Sequence, residues 1–116
     1  MNYHGICDSI LSDVETLKNE NLSTAIINMH TIKPIDEEAI IKHAKNKKLI
    51  VTIEEHNIIG GLGSAVAETI SKDNKISKLL RLGIQDSYSK SGSYNYLKKI
   101  NRLVPEKIIE DIKKNL

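Results

Sequence analysis

The stretch that decides the fold is residues 49–68, which read LIVTIEEHNIIGGLGSAVAE. Leu49–Ile53 is short, almost continuously apolar and rich in β-branched residues, which is typical of a buried strand in a parallel sheet. A loop with three glycines follows, at Gly60, Gly61 and Gly63. The alanine-containing segment Ser64–Ser71 then has the pattern of a helix. These residues therefore predict a strand, a glycine loop and a helix in succession.

On the amino-terminal side, two helices flank a second apolar run. The first helix is predicted from apolar residues at helical spacing: Ile6, Ile10, Val14 and Leu17. Thr24–Ile32, rich in Ile, Ala and Met, is predicted to be a buried parallel strand. Asp36 is the predicted N-cap of the next helix, with Glu37 and Glu38 in the first turn, where the helix dipole favours anions. Ile35 and Ile40 occupy the positions of a hydrophobic staple around this helix start.

On the carboxyl-terminal side, Leu79–Ile84 is predicted to be a third strand. A polar loop containing Ser91, Gly92 and Ser93 follows, and a short helix is then predicted from Tyr94, Leu97 and Ile100. Pro105 suits the first position of a last helix. The inward face of that helix is predicted to consist of Ile108, Ile109, Ile112 and Leu116.

Regular alternation of helices and strands is the signature of an α/β fold. We expect a three-layer α/β/α sandwich with a mostly parallel sheet and right-handed crossovers. Sites in such folds lie beyond the carboxyl ends of the strands. In this chain those ends are His30–Pro34, Glu54–Gly63 and Gln85–Gly92.

The composition favours a single globular domain spanning residues 1–116. Hydrophobic residues make up 40% of the 116 positions and charged residues 28%, which is sufficient for a core and too apolar for disorder. The aromatic fraction is 3%, with no Phe or Trp. The core must therefore be aliphatic, which suits a parallel sheet covered by helices.

Charge, hydropathy and cysteine content indicate whether the chain binds nucleic acid or membrane and in which compartment it lies. The formal net charge is +2, and with so few aromatic residues no nucleic-acid partner is expected. No apolar run reaches membrane length, so no membrane partner is expected either. Cys7 is the only cysteine, which excludes a disulfide within the chain and fits the reducing cytoplasm.

Three groups of residues could carry chemistry, and each has a structural alternative. Gly61 and Gly63 before a helix could bind a phosphate, or could permit tight strand-to-helix packing. Glu54, Glu55 and His56 could contribute to a metal site, with His30 or Asp86 as distant ligands. Their other reading is as polar groups at a strand end that bond neighbouring loops or another domain. His30 could likewise be an acid/base group or a structural histidine.

Nearly the whole chain closely resembles the C-terminal domain of the transketolase family. The resemblance lies in three blocks that keep the family's order and spacing: TIKPID at residues 31–36, LIVTIEEH at residues 49–56 and GGLGSAVAE at residues 60–68. Deoxyxylulose-phosphate synthases and beta subunits of 2-oxoacid dehydrogenases share this domain. The residues in these blocks look most like those of a split-type transketolase.

The resemblance implies one part of a two-carbon ketol transferase acting on sugar phosphates in the pentose phosphate pathway. In that family thiamine diphosphate and its divalent metal, Mg²⁺ or Ca²⁺, are held by two other domains through Gly-Asp-Gly and Asn-Asn motifs, which this sequence lacks. It therefore implies no catalytic, cofactor or metal residue in this chain, whose own enzyme status stays open. The implied partners are the catalytic domains or subunit and further copies in a dimer or other homo-oligomer. The implied interface residues are Glu54, Glu55, His56, Asn57, Gly60, Gly61, Gly63 and Ser64.

The chain also departs from the family pattern. The first two of five family strands would precede Gly5, so we expect an N-terminally truncated sheet with exposed edges or a gap that association between chains would cover. Asn101-Arg102 replaces the usual Tyr-Gly, and Asn101 is expected to take the left-handed conformation at the helix end. Val104 replaces a capping Thr. The alternative function from the residues alone is a stand-alone nucleotide- or phosphate-binding module using the Gly60–Ser64 loop.

Overall fold

The computed structural model describes residues 15–29, 33–73, 78–84 and 94–116. Helix α1 is described over residues 15–19. The remaining elements are α2 (Glu37–Ala44), β1 (Leu49–Asn57), α3 (Leu62–Ile70), β2 (Lys78–Ile84), α4 (Tyr94–Ile100) and α5 (Pro105–Lys114). The predicted α/β class is confirmed by this order and by the parallel pairing of β1 with β2.

The register of β1 against β2 assigns a different chemistry to each face of the sheet. Residues pair in order from Leu49 with Lys78 to Ile53 with Leu82, and the register then shifts before Asn57 pairs with Ile84. Because side chains alternate along a strand, Val51 and Ile53 share one face with Leu80 and Leu82 of β2. Thr52 pairs with Arg81 on the other face.

The aliphatic face of the sheet packs against α5. Leu82 forms a buried cluster with Leu103 and Ile108. Four partly buried residues surround that cluster: Val51, Ile53, Leu80 and Ile112. Lys113 on α5 also reaches Glu20, just beyond α1, with 2.7 Å between Nζ and the carboxylate. One helical layer therefore contains α5, with Glu20 after α1 in contact with it.

The polar face of the sheet packs against α3. Gly63 lies so close to the strands that a Cβ there would be 3.0 Å from Thr52 Oγ1 and 2.9 Å from Arg81 Cδ. Lys72, after the end of α3, forms an ion pair with Glu37 of α2 at 2.7 Å. The second helical layer therefore contains α3 and α2, which completes the predicted three layers.

Local signals located α2 correctly. The Oδ1 atom of Asp36 accepts a hydrogen bond from the Ala39 N–H at 3.0 Å, so the predicted N-cap is confirmed. Glu37 and Glu38 lie in the first turn and Lys42 in the last. Ile40 is buried, which fits its predicted staple position.

The predicted strand Thr24–Ile32 is wrong where the structure describes it. Residues 24–29 have no strand assignment, and Ile26 and Ile27 are 44% and 43% exposed. The expectation came from composition alone, whereas a strand also needs a neighbour to pair with. None of the described residues pairs with this run; His30–Ile32 lie outside the described ranges.

Two further boundaries differ from the prediction. Strand β1 continues through Glu54, Glu55 and His56, because the shifted register lets pairing resume at Asn57. Leu116 is 53% exposed, contrary to the predicted inward position, because α5 ends before it. The predicted loop at Ser91–Ser93 and the predicted starts of the first helix lie outside the described ranges.

The turn between α4 and α5 is held by a residue that the sequence did not single out. Arg102, and not Asn101, takes the left-handed conformation, with φ of 59°. The Arg102 and Leu103 N–H groups donate to the carbonyls of Lys99 and Lys98 at 3.1 and 2.8 Å, which is the Schellman arrangement. The Arg102 guanidinium donates twice to Asp111, at 2.9 and 3.0 Å. Hydrogen bonding to Asp111 raises the pKa of Arg102.

The ion pair with Asp111 should offset the backbone strain at Arg102. Asp111→Asn is expected to lower the melting temperature, because it removes the carboxylate that accepts two hydrogen bonds from the guanidinium and leaves only Glu110, at 3.4 Å, as its anionic neighbour among the described residues. Arg102→Gly in that Asp111→Asn background should then raise the melting temperature, since glycine adopts positive φ without a Cβ penalty. Differential scanning calorimetry of the two single variants and the double variant measures both effects. An equal gain from Arg102→Gly in both backgrounds would mean that the ion pair contributes no stability.

Candidate functional site: the glycine loop between β1 and α3

Glu54 is the buried centre of the loop between β1 and α3. It is 5% exposed, and its two carboxylate oxygens accept hydrogen bonds from the backbone N–H groups of Leu62 and Gly63 at 2.9 and 2.8 Å. These groups belong to the first turn of α3, where N–H groups have no partner within the helix. The carboxylate therefore caps α3 from the preceding strand and joins the two elements directly.

The position of Glu54 explains why residue 61 is glycine. A Cβ at Gly61 would overlap Glu54 Oε1 and would lie 3.1 Å from the Asn57 carbonyl oxygen. Gly60 has a different reason, because its φ is +77° although a Cβ added there would have no atom within 4 Å. The two adjacent glycines are therefore required for different reasons. At Gly61 a side chain would clash with Glu54, and at Gly60 the backbone has a positive φ.

Side chains within the loop hold its tip in place. Asn57 Oδ1 accepts from the Ile59 N–H at 2.8 Å. The Ser64 hydroxyl donates to the Ile58 carbonyl at 3.1 Å and accepts from the Gly60 N–H at 2.9 Å. Arg81 also donates to this hydroxyl at 3.3 Å. The loop between Asn57 and Ser64 is therefore bonded across its whole length.

This geometry does not support the phosphate-binding alternative. A helix start binds phosphate through free backbone N–H groups, and at α3 the Leu62 and Gly63 groups already donate to Glu54. A phosphate in the same place would also meet the like charge of that carboxylate. For the same reason the residues of this loop do not fit the diphosphate of a thiamine cofactor, and the prediction that the chain carries no cofactor site stays a prediction.

The metal reading finds no support in the part of the chain that is described. Those residues contain no group of three or more His, Cys, Asp or Glu side chains that could hold a metal ion. Both oxygens of Glu54 accept backbone hydrogen bonds, and alternation along β1 points Glu55 to the opposite face. His30 and Asp86, the suggested distant ligands, lie outside the described ranges.

The structure brings together only some of the eight residues predicted as interface candidates. Glu54 meets Gly61 and Gly63, while Asn57 and Gly60 reach the same loop through the bonds above. Glu55 and His56 lie in β1, and the His56 side chain is not among those described.

Three residues around the loop were missed by the sequence reading. Thr52 shares the face of Glu54, which strand alternation could have indicated. Arg81 comes from β2, and only the register brings it to Ser64. Ile59 is 59% exposed at the loop tip, and an isoleucine beside two glycines gave no signal of that exposure.

None of the helices in the described ranges combines the length and apolar character that a bilayer crossing needs.

Comparison with known proteins identifies the family. The profile of the transketolase C-terminal domain matches residues 5–108. The chain belongs to this family. Its glycine loop and the two strands among the described residues fall within the matched region, so the transketolase C-terminal domain is the framework that positions Glu54 beneath α3.

Several relatives of this transketolase C-terminal domain share substantial sequence. A Methanocaldococcus jannaschii protein, provisionally named a transketolase C-terminal section, is 48% identical over 104 residues, covering 86% of this chain and 32% of its own length. A 6-deoxy-6-sulfo-D-fructose transketolase subunit of a Clostridium species is 34% identical, covering 90% of this chain and 32% of its own. The 1-deoxy-D-xylulose-5-phosphate synthase of Heliobacterium modesticaldum is 38% identical over 84 residues, 72% of this chain and 13% of the synthase.

A solved structure has the same fold. It is described as a split-gene transketolase in an inactive β4 tetramer, and it superposes with a TM-score of 0.79 at 29% sequence identity. The match covers 96% of this chain and 35% of that one. The chain thus spans about a third or less of the length of the relatives it matches.

The contact between Glu54 and Gly61 should carry much of the stability of this loop. Gly61→Ala is expected to lower the free energy of unfolding by about 2–4 kcal/mol, because the added methyl group displaces the carboxylate from two N–H donors. Gly60→Ala is the matched control and should cost about 1 kcal/mol, since it meets open space and only the left-handed backbone is penalised. Urea unfolding of both variants measures the difference, and equal losses would contradict it.

Glu54 itself can be tested with a change of one functional group. Glu54→Gln is expected to cost about 1–3 kcal/mol, because an amide cannot accept from both Leu62 and Gly63. Glu68→Gln, on the exposed surface of α3, is the control and should stay within about 0.5 kcal/mol of the wild type. A Glu54→Gln variant as stable as the control would rule out the proposed capping role.

Because the Leu62 and Gly63 N–H groups already donate to Glu54, we expect the loop not to bind anions. Inorganic phosphate or ATP at about 10 mM should leave the melting temperature unchanged, because a ligand that does not bind the folded state does not stabilise it. A sodium chloride sample of equal ionic strength provides the control. A rise specific to phosphate or ATP would restore the phosphate-binding alternative.

Proposed function

We propose that this chain is the C-terminal part of a thiamine-diphosphate-dependent transketolase and that it supports assembly of the enzyme without supplying catalytic groups. The observation that carries the proposal is the family match over residues 5–108 together with a glycine loop whose helix-start donors are used internally by Glu54. Thiamine diphosphate and its divalent metal are assigned to companion domains or a companion subunit.

The reaction proposed for the assembled enzyme is transfer of a two-carbon ketol unit between sugar phosphates. Two relatives have names that specify related chemistry, one a sulfo-fructose transketolase subunit and the other a deoxyxylulose-phosphate synthase. The transketolase C-terminal section is 48% identical, the synthase 38% and the sulfo-fructose transketolase subunit 34%, so the transketolase branch is favoured by the first of these relatives alone. The shared domain fits either branch in fold, so branch and substrate rest on this identity difference.

Within that enzyme, we assign the surface around the glycine loop to packing between domains or subunits. The residues concerned are Glu54, Glu55, His56, Asn57, Gly60, Gly61, Gly63 and Ser64. The loop is bonded internally by Asn57 and Ser64, so its shape does not have to form upon contact. A preformed surface loses less conformational entropy when a partner binds.

Self-association is the second part of the proposed assembly. The similar split-gene structure is described as a tetramer of one kind of chain, and this chain covers about a third of it. We propose that this chain likewise associates with copies of itself, in addition to its catalytic partner.

The proposal predicts activity that depends on a partner. The purified chain with thiamine diphosphate and Mg²⁺ should show no ketol transfer between sugar phosphates. Transfer should appear when a transketolase chain carrying the Gly-Asp-Gly and Asn-Asn motifs, but lacking its own C-terminal domain, is added. A coupled assay for the aldose phosphate product measures it, with the partner chain alone as control. Turnover by the isolated chain, or no gain over the partner alone, would contradict the proposal.

A further inference from the structure

Four exposed lysines lie together at the amino-terminal edge of the sheet. Lys45, Lys47 and Lys48 belong to the turn that leads from α2 into β1. Lys78 is the first residue of β2, and its partner across the sheet is Leu49, the residue after Lys48. Because neighbouring strands lie about 5 Å apart, the four lysines share one end of the sheet, which we call the lysine edge.

The positive charge of the lysine edge is not neutralised within the described part of the chain. Three exposed lysines elsewhere form ion pairs with glutamates: Lys72, Lys107 and Lys113. In contrast, Lys45, Lys48 and Lys78 form no ion pair with any described residue. Asp73, half-buried after α3, is the acidic residue nearest to Lys78 along the chain, and one carboxylate does not offset four lysines. This edge therefore presents positive charge to a partner.

Local stability does not account for the cluster. The helix dipole favours a cation near the end of a helix, but the effect is confined to the last turn. Lys47, Lys48 and Lys78 lie outside the helices. Like charges that lie close together repel one another, so the lysine edge costs stability in the isolated chain and would be stabilised by an anionic partner.

Nucleic acid and membrane fit this edge poorly. The pI of the chain is about 8.6, whereas nucleic-acid-binding domains typically exceed about 9. Residues 45–48 and 78 contain no arginine for bidentate contacts and no aromatic residue for stacking. At an anionic membrane, four lysines alone give an affinity of only about 1 mM. The adjacent apolar residues Ile41 and Leu49 are half-buried and so add little insertion.

An acidic protein surface fits the lysine edge better. It can present several carboxylates to the four lysines at once, which a bound small anion cannot. Opposite charges on two proteins also raise their association rate, by about tenfold to a thousandfold at low salt. Lysine suits this role because its charge acts at a distance and without a fixed hydrogen-bond geometry.

We propose that the lysine edge docks an acidic surface of the companion chain that carries the catalytic groups. This inference rests on the proposed function and adds a second contact surface, whose charge it specifies. The lysine edge and the glycine loop lie at opposite ends of the nine-residue strand β1, about 30 Å apart. The two surfaces therefore meet different parts of the companion.

The test is the rate at which this chain associates with a transketolase chain that carries the Gly-Asp-Gly and Asn-Asn motifs and lacks its own C-terminal domain. Lys48→Glu combined with Lys78→Glu should lower the association rate constant, measured by stopped flow, at least about tenfold at an ionic strength of about 0.02 M. The difference should largely vanish at about 0.5 M, where salt screens the charges. Lys48→Gln combined with Lys78→Gln removes the charges without reversing them and should give an intermediate rate.

A control variant carries the same change in net charge at another surface. Lys99 on α4 and Lys107 in the first turn of α5 are both exposed. Lys99→Glu combined with Lys107→Glu should keep most of the wild-type association rate. Melting curves first establish that each variant is folded, and the Lys48→Glu and Lys78→Glu pair should melt at or above the wild-type temperature because it relieves repulsion.

The outcomes separate this surface from the wider proposal. A companion that binds the wild type and the Lys48→Glu and Lys78→Glu variant at the same rate would overturn the lysine edge and leave the proposed function standing. Equal slowing by the control variant would also overturn it. No association of the wild type at any salt concentration would overturn both. Binding to phosphatidylserine vesicles or to a duplex DNA that only the edge variant loses, with the companion rate unchanged, would assign the edge to lipid or nucleic acid instead.

Discussion

The hydrogen bonds between the Glu54 carboxylate and the start of α3 are the interaction on which the rest of this structure depends. They join the end of β1 to the helix that follows, at 2.9 and 2.8 Å, and so set the path of the connecting loop. Because the carboxylate occupies the space beneath residue 61, only glycine fits there. The same contact supplies the negative charge that a helix start favours.

The two faces of the sheet differ in character, and Glu54 lies on the more polar one. Beneath α5 the sheet is aliphatic, with Leu82, Leu103 and Ile108 at the centre. Beneath α3 it carries Thr52, Glu54 and Arg81, which in a buried place need partners or a close fit. Each oxygen of Glu54 accepts a hydrogen bond, whereas Thr52 Oγ1 has no hydrogen-bond partner among the described residues. Close packing of Gly63 against Thr52 accompanies that cost, which is about 1–3 kcal/mol for a buried hydroxyl.

Sequence reasoning succeeded where the signal was local. The Asp36 cap, Pro105 at the first turn of α5, and strand Leu79–Ile84 depend on residues that are near neighbours in the chain, and each was located to within a residue. It failed at Thr24–Met29 because composition describes a strand without saying whether a neighbour exists to pair with it. The role of Arg102 was missed for a related reason, since its partner Asp111 lies nine residues further along the chain, within α5.

The glycine loop shows how far a motif can be interpreted without its surroundings. From residues 60–64 alone, phosphate binding and tight packing were both open, because glycines before a helix serve either purpose. The deciding residue is Glu54, which precedes the loop on the strand. Its carboxylate gives the helix start the anion that a bound phosphate would otherwise provide, so the loop is complete without a ligand. A domain completed in this way does not need a cofactor to position its helix.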